Sequence, residues 1–136
     1  PKDGVGSRIK KLLKEQEDII SAVGTGNMFR DFSCDGVTFE QAIYKFGRTS
    51  IAHEGELDPR LKITDSSTWH IGKEWVLPST YVLGLIVGTL TARENKTEKM
   101  EKDIDVTIFK RSYKINDLWG EEDSLRAYIN TYLMER

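Results

Sequence analysis

The chain has 136 residues, 38% of them hydrophobic and 31% charged, with a formal net charge of -2. That length suits one domain spanning the whole chain and leaves little room for a second core, and the composition is that of a folded chain, which sets intrinsic disorder aside. A charge balance this close to neutral supplies no global positive field, so any site for a polyanion has to be local.

One cysteine, Cys34, cannot form an internal disulfide, and a reducing, cytoplasmic compartment is expected. It lies in Ser33-Cys34-Asp35-Gly36 without a basic neighbour to favour the thiolate, so it is not a nucleophile candidate. No signal peptide is expected from the opening residues, and Pro1 in place of Met leads us to expect further sequence upstream. The most apolar run, Tyr81 to Leu90, is half the roughly 20 residues that a spanning helix needs, so membrane insertion is not expected.

The first helix is predicted from Ser7, as cap, to Val23. Ile9, Leu12, Leu13, Ile20 and Val23 form its apolar stripe, with Lys10, Lys11, Lys14, Glu15 and Asp18 on a solvated face. Gly24-Thr25-Gly26-Asn27 ends it, and 28–37 reads as a loop or short turn. A second helix begins at the capping box Thr38-Phe39-Glu40-Gln41, buries Phe39, Ile43 and Phe46, and stops at Gly55 after about His53. Gly47 inside it costs about 1 kcal/mol relative to Ala, and a close backbone neighbour is expected there.

From Glu56 to Leu77 no helical period survives. Leu61–Thr64 and Trp69–Gly72 alternate weakly around Asp65-Ser66-Ser67, which fits a small hairpin or an ordered loop. The third helix starts near Pro78-Ser79 with Ser79 as cap and is apolar on all sides, the mark of a central or dimer-seam helix. Gly84, Gly88 and Ala92 form a flat strip along it for close packing of another helix. Residues 104–109 alternate like a strand but leave strand and helix open. The last helix follows Glu121, Glu122 and Asp123 and carries Leu125, Tyr128, Ile129, Tyr132 and Leu133 on one face. Trp69, Trp75 and Trp119 are expected to be packed. The fold class expected from these elements is mainly α: an antiparallel helical bundle with a small irregular or β-hairpin insertion.

Few residues carry chemistry. His53 and His70 are the only imidazoles, no His or Cys pair has zinc spacing, and neither a phosphate loop nor a nucleophile elbow is present, so no metal or cofactor is expected. Lys110-Arg111-Ser112-Tyr113-Lys114 is a basic run with an aromatic and reads as a solvated face. The exception is Tyr44-Lys45-Phe46-Gly47-Arg48-Thr49-Ser50-Ile51-Ala52-His53-Glu54-Gly55. Arg48, four residues, then His53 and Glu54-Gly55, late in an apolar-faced helix, resembles the HEPN superfamily. Thr49 stands where active members often carry Asn, Asp or His.

The resemblance implies an all-α domain acting as a metal-independent endoribonuclease, of toxin or defence type, on RNA. It also implies a homodimer and a nucleotidyltransferase-like antitoxin partner. The physical chemistry agrees with a role for the pair. Cleavage through the 2′-OH needs a base, an acid and a cation for the crowded phosphorane; His serves either proton step near neutral pH, and Arg holds phosphate oxygens with a fixed fork. Two proton steps ask for two histidines, which a two-fold dimer would provide. Arg48 and His53 are the catalytic candidates, with Tyr44, Thr49, Ser50 and Glu54 supporting. Tyr44 lies one turn from Arg48, Ser50 lies near His53, and Glu54 is placed to orient the imidazole. On a straight α-helix residues five apart point about 140° from each other, so Arg48 has to reach around or the helix has to end before His53. The plainer reading makes Arg48 an ion-pair partner of Glu54 or Asp58 and His53 a helix C-terminal cation, in a non-catalytic helical module that binds another protein.

Overall fold

The structure, a computed structural model, describes residues 4–65 and 69–135. Where one opening helix is predicted there are two, α1 (Gly4–Glu15) and α2 (Glu17–Thr25), so Ser7 lies inside a helix rather than capping it. The joint is Gln16, at φ -101° and ψ 7°. Backbone bonds still cross it, from Gln16 N–H to Leu12 (3.0 Å) and from Ile20 N–H to Gln16 (2.9 Å), which makes it a kink rather than a break. The Gln16 amide is inserted into the core. Its Nε2 donates to the Gly88 carbonyl (2.9 Å) and to Thr91 Oγ1 (3.3 Å), and its Oε1 accepts from Arg126 (3.1 Å). Gly26, at φ 83°, closes α2 by donating to Ala22, as the glycine-rich stop predicts.

The segment read as a loop contains a hairpin, β1 (Ser33–Cys34) with β2 (Val37–Thr38), turned by Asp35 and Gly36, both at positive φ. The predicted capping box at Thr38 is present: Gln41 N–H donates to Thr38 Oγ1 (3.4 Å) and Thr38 N–H to Gln41 Oε1 (2.9 Å). It opens a continuous helical run made of α3 (Phe39–Gln41), a π-helix (Ala42–Thr49) and α4 (Ser50–Glu54), which ends at Gly55 in the left-handed conformation. The close neighbour at Gly47 is a side chain: a Cβ there would stand 3.4 Å from Leu61, an ordinary contact.

Strands β3 (Leu61–Thr64), β4 (His70–Ile71) and β5 (Trp75–Pro78) form one sheet in the order β3-β5-β4. The two weakly alternating runs are strands, as the pattern allows, but they do not pair as a hairpin. They flank β5, which runs parallel to β3 and antiparallel to β4. Of the turn predicted at 65–67, Ser66 and Ser67 lie outside the described residues. Helix α5 (Thr80–Thr91) follows; Ser79 makes no side-chain cap, and Thr80 instead donates to the Gly24 carbonyl at 2.6 Å. Residues 105–108, left open by the sequence, are strand β6 (Asp105–Ile108), paired in a hairpin with β7 (Arg111–Lys114). The basic run at 110–114 is thus hairpin turn and strand. Helix α6 (Glu122–Met134) buries Leu125 and Ile129. Trp75 is buried; Trp69 and Trp119 are half-buried, the first edge-on to Phe29 and the second donating to Asn116 Oδ1 (3.0 Å).

The expected mainly α, antiparallel bundle is therefore corrected. Among the described residues seven strands form three small sheets, so the fold is mixed α/β and the all-α description implied by the HEPN resemblance does not apply. Its centre is the α2–α5 pair, with one apolar cluster built on Leu13, Phe39, Phe46, Trp75 and Tyr81 and another on Ile19, Val87, Ile108, Leu125 and Ile129. Among the described residues no helix is long and apolar enough to cross a membrane.

The glycine strip of α5 is used inside the chain. A Cβ on Gly84 would stand 2.5 Å from the Ile20 carbonyl oxygen, and one on Gly88 2.6 Å from the Ile20 side chain. The strip is thus covered by α2, while Val82 and Ile86 remain exposed on another face of α5. Gly84→Ala must push two backbones apart, and we expect a loss of about 1–3 kcal/mol from overpacking, read as a lower urea midpoint. Unchanged stability would mean that the helices are not in this contact.

Two acidic side chains near the kink are buried. Asp18, placed on a solvated face by the sequence pattern, has a fully buried side chain bonded to Arg126 Nε (2.7 Å) and Arg30 Nη2 (2.5 Å). Glu17 is 1% exposed. Its Oε2 accepts from Phe32 N–H (3.1 Å), and its Oε1 has no partner among the described residues. Burial pushes the Glu17 carboxyl from its ordinary 4.5 up to about 7, against the lowering effect of hydrogen bonds from the Phe32 and Asp31 backbone. A pKa raised in the folded state means that the native protein holds the extra proton. This contribution to stability is complete below the unfolded value and is lost as pH rises through about 7. We expect Glu17→Gln to flatten the decline in melting temperature between pH 5 and pH 8, and an unchanged slope would remove Glu17 as its source.

Candidate functional site

All six candidate residues sit on the helical run that the Thr38 capping box starts and Gly55 ends. Its π-helical middle closes each turn over five residues, which places Tyr44 and Thr49 one turn apart, and both line the same recess. Tyr44 is fixed from the side by α1: its hydroxyl lies over Gly6, where a Cβ would come within 2.7 Å of it.

Tyr44 and Arg48 are in contact. Arg48 Nη1 donates to Tyr44 Oη at 3.2 Å, and the guanidinium carbon lies 5.3 Å from the centre of the Tyr44 ring. Lys10 Nζ approaches the same ring at 5.4 Å. The ion pairs proposed for Arg48 by the plainer reading are not formed. Asp58 is held by Arg60 through Nε (2.9 Å) and Nη2 (2.8 Å), and that hydrogen bonding keeps its carboxyl down at about 2. Among the described residues Arg48 has no carboxylate partner. Its guanidinium is exposed and keeps most of its fork free.

His53 is exposed in the last turn of α4, where the helix dipole favours a cation. Among the described residues no hydrogen bond joins it to Arg48, Ser50 or Glu54. Ser50 Oγ instead donates to the Glu56 carbonyl (2.9 Å) and ties down the turn after the helix. Glu54 is exposed and does not orient the imidazole within one chain. The structure thus brings Tyr44 to Arg48, and among the described residues no hydrogen bond or ion pair joins either of them to His53, Ser50 or Glu54.

Beside the Tyr44–Arg48 pair is a recess of about 460 Å3, lined by Lys10, Gln41, Tyr44, Lys45, Thr49 and Arg60 over Phe46 and the Gly36–Val37 turn. Among the described residues no carboxylate lines it. Arg60 stacks on Phe46 at 4.2 Å. Lys10, Lys45 and Arg60 are not among the residues that the sequence singles out: Lys10 belongs to the face of the first helix expected to be solvated, Lys45 is an exposed lysine of the helical run, and Arg60 arrives only through the loop after Gly55. Among the described residues no three His, Cys, Asp or Glu side chains gather where they would hold a metal ion. What the arrangement offers is cationic: charged forks and ammonium groups around a concave surface, a setting for phosphate or carboxylate oxygens.

The chain belongs to the Rv1289 family, whose model matches residues 1–135. No curated protein and no solved structure matches it.

Proposed function

We propose that this protein binds RNA at the basic recess and cuts it, without a metal, through its own 2′-OH. The observation that carries the reading is the state of Arg48. It is exposed, held in place by Tyr44, free of any carboxylate among the described residues, and set beside a recess that carries three more cations. An arginine kept for structure is normally paired; one kept for phosphate needs its fork open.

Arg48 holds two non-bridging oxygens of the scissile phosphate. A histidine takes the 2′-OH proton as that oxygen attacks phosphorus, the bond to the 5′ oxygen breaks, and a second proton goes to the departing oxygen. The products are a 2′,3′-cyclic phosphate and a free 5′-OH. His53 is the group within the motif able to move those protons. Since the motif offers one such histidine and the two proton steps ask for two, the reading requires a homodimer in which His53 of each copy reaches a shared cleft. The test uses an oligoribonucleotide with one 2′-deoxy position. Cleavage is expected at every other linkage and to vanish at that one, with EDTA having no effect. Cleavage that continues there would sink the reading.

The lack, among the described residues, of any hydrogen bond between His53 and Arg48 favours a second reading, in which the basic surface binds a partner without cutting it. Protein that binds RNA and leaves it intact, as a verified dimer, would support that reading.

A further inference from the structure

We propose that the recess beside Tyr44 and a shallower one next to it form a single groove that grips the sugar–phosphate backbone of single-stranded nucleic acid without reading its bases; the proposal rests on the RNA reading above for the nature of its ligand. The second recess, of about 380 Å3, is bounded by Lys10, Lys11, Lys14 and Glu40 and shares Lys10 and Gln41 with the first. On α1, Lys10 and Lys14 are four residues apart and present one face, so the groove leads from Lys14 past Lys10 to Lys45 and Arg60, with Arg48 at its flank.

Two features define its ligand. The first is unspent charge. Among the described residues Lys10, Lys14, Lys45 and Arg48 form no direct ion pair with a carboxylate, though Asp58 acts on Lys45 through space; Lys11 reaches Glu15 only at 3.9 Å and in solvent, and Arg60 is held by Asp58. These cations lie together on a chain whose net charge is -2, which makes this face a local polyanion site.

The second feature is the state of the aromatic rings. Single-strand binders that engage bases do so by stacking them on bare aromatic faces. Here the Tyr44 ring already carries Lys10 and Arg48, and the Phe46 ring already carries Arg60. Among the described residues every aromatic ring that lines the groove thus has a cation near it, which a base would have to displace in order to stack. The recess, about 460 Å3, falls within the roughly 300–1,000 Å3 of small-ligand sites, so a single strand can enter it whereas a duplex can meet it only with one backbone at its mouth. Such a groove is blind to sequence and to the 2′-OH, so any selectivity for RNA arises in the cutting step.

The test is fluorescence anisotropy on the His53→Ala protein, so that cleavage plays no part, with labelled oligouridylate and oligodeoxyuridylate of equal length. Both are expected to bind with the same affinity. With four phosphates neutralised, log K should fall with log salt at a slope of about -3, from roughly -0.7 per contact on a single strand. Lys45→Ala and Lys10→Ala should each flatten that slope by about 0.7, and Lys45→Glu should abolish binding at physiological salt, all with unchanged melting temperatures. Binding of the RNA alone, tighter binding of a duplex than of the single strand, or a slope unmoved by either alanine would overturn the groove. So would binding of polyglutamate with neither oligonucleotide bound, which would mark an acidic protein as the partner. Equal binding with no cleavage by the wild type would count against the RNA-cutting reading alone. Cleavage by the wild type with an unmoved slope would count against the groove alone.

Discussion

Replacing His53 with alanine is expected to slow RNA cleavage by about 10²- to 10⁴-fold, the usual effect of removing an acid–base group. Folding should be unaffected, since the side chain is exposed at the end of α4 and makes no hydrogen bond among the described residues. Arg48→Lys should be nearly as damaging, because an ammonium group is a point charge and cannot hold two phosphate oxygens as a fork does. The two variants should differ in kind. His53→Ala should alter the pH profile of the rate, and Arg48→Lys should lower the rate at every pH. A dimer mixed from the two variants, each copy lacking a different group, distinguishes a shared site from two separate ones. A His53→Ala protein that cuts as fast as the wild type would end the catalytic reading.

The largest effect on stability is expected at Arg126. Its guanidinium bonds Asp18 through Nε (2.7 Å) and Nη2 (3.2 Å), Glu122 through Nη1 (3.2 Å) and Gln16 Oε1 (3.1 Å). Arg126→Ala leaves the Asp18 carboxylate, fully buried, without its main partner. Breaking a buried pair on one side costs about 3–5 kcal/mol, and Arg30, which still reaches Asp18, should hold the loss toward the lower end. The control is Arg30→Ala. Its side chain is 62% exposed, so an ion pair from solvent should contribute only about 0–1 kcal/mol. Urea unfolding of both variants gives the comparison. Equal losses would show that burial of Asp18 is not what makes Arg126 matter.

How legible this molecule is in its sequence depends on the range of the interactions. The Thr38 capping box, the Gly26 and Gly55 stops, and the apolar face of α6 involve residues a few positions apart, and all read directly. So does the contact of Tyr44 with Arg48, set by a spacing of four. The β1–β2 hairpin carries an Asp35-Gly36 turn, a strong local signal, but each flank is only two residues long and shows no alternation. Strand β5 is a four-residue apolar run between Glu74 and α5 whose partners lie on both sides, and without them it has no visible period. The burial of Asp18 depends on an arginine 108 positions away, beyond the reach of any local pattern. The same holds for the recess: Lys10 reads as one more lysine on an amphipathic helix until α1 is laid against Tyr44.

The π-helix has a consequence for how the Arg48–His53 motif should be compared between proteins. A π turn amounts to an α turn carrying an additional residue. A further residue inserted between Gln41 and Tyr44 and wound as α-helix would leave the string from Tyr44 to Gly55 intact letter for letter, yet it would swing that whole stretch by about 100° about the helix axis. Tyr44 would then leave Gly6 and Lys10, and Arg48 would leave the rim of the recess. Two chains identical over the motif would present it to different surroundings. The length of the segment from Thr38 to Tyr44, a phase rather than a set of side chains, is what aligns this motif with the lysines of α1.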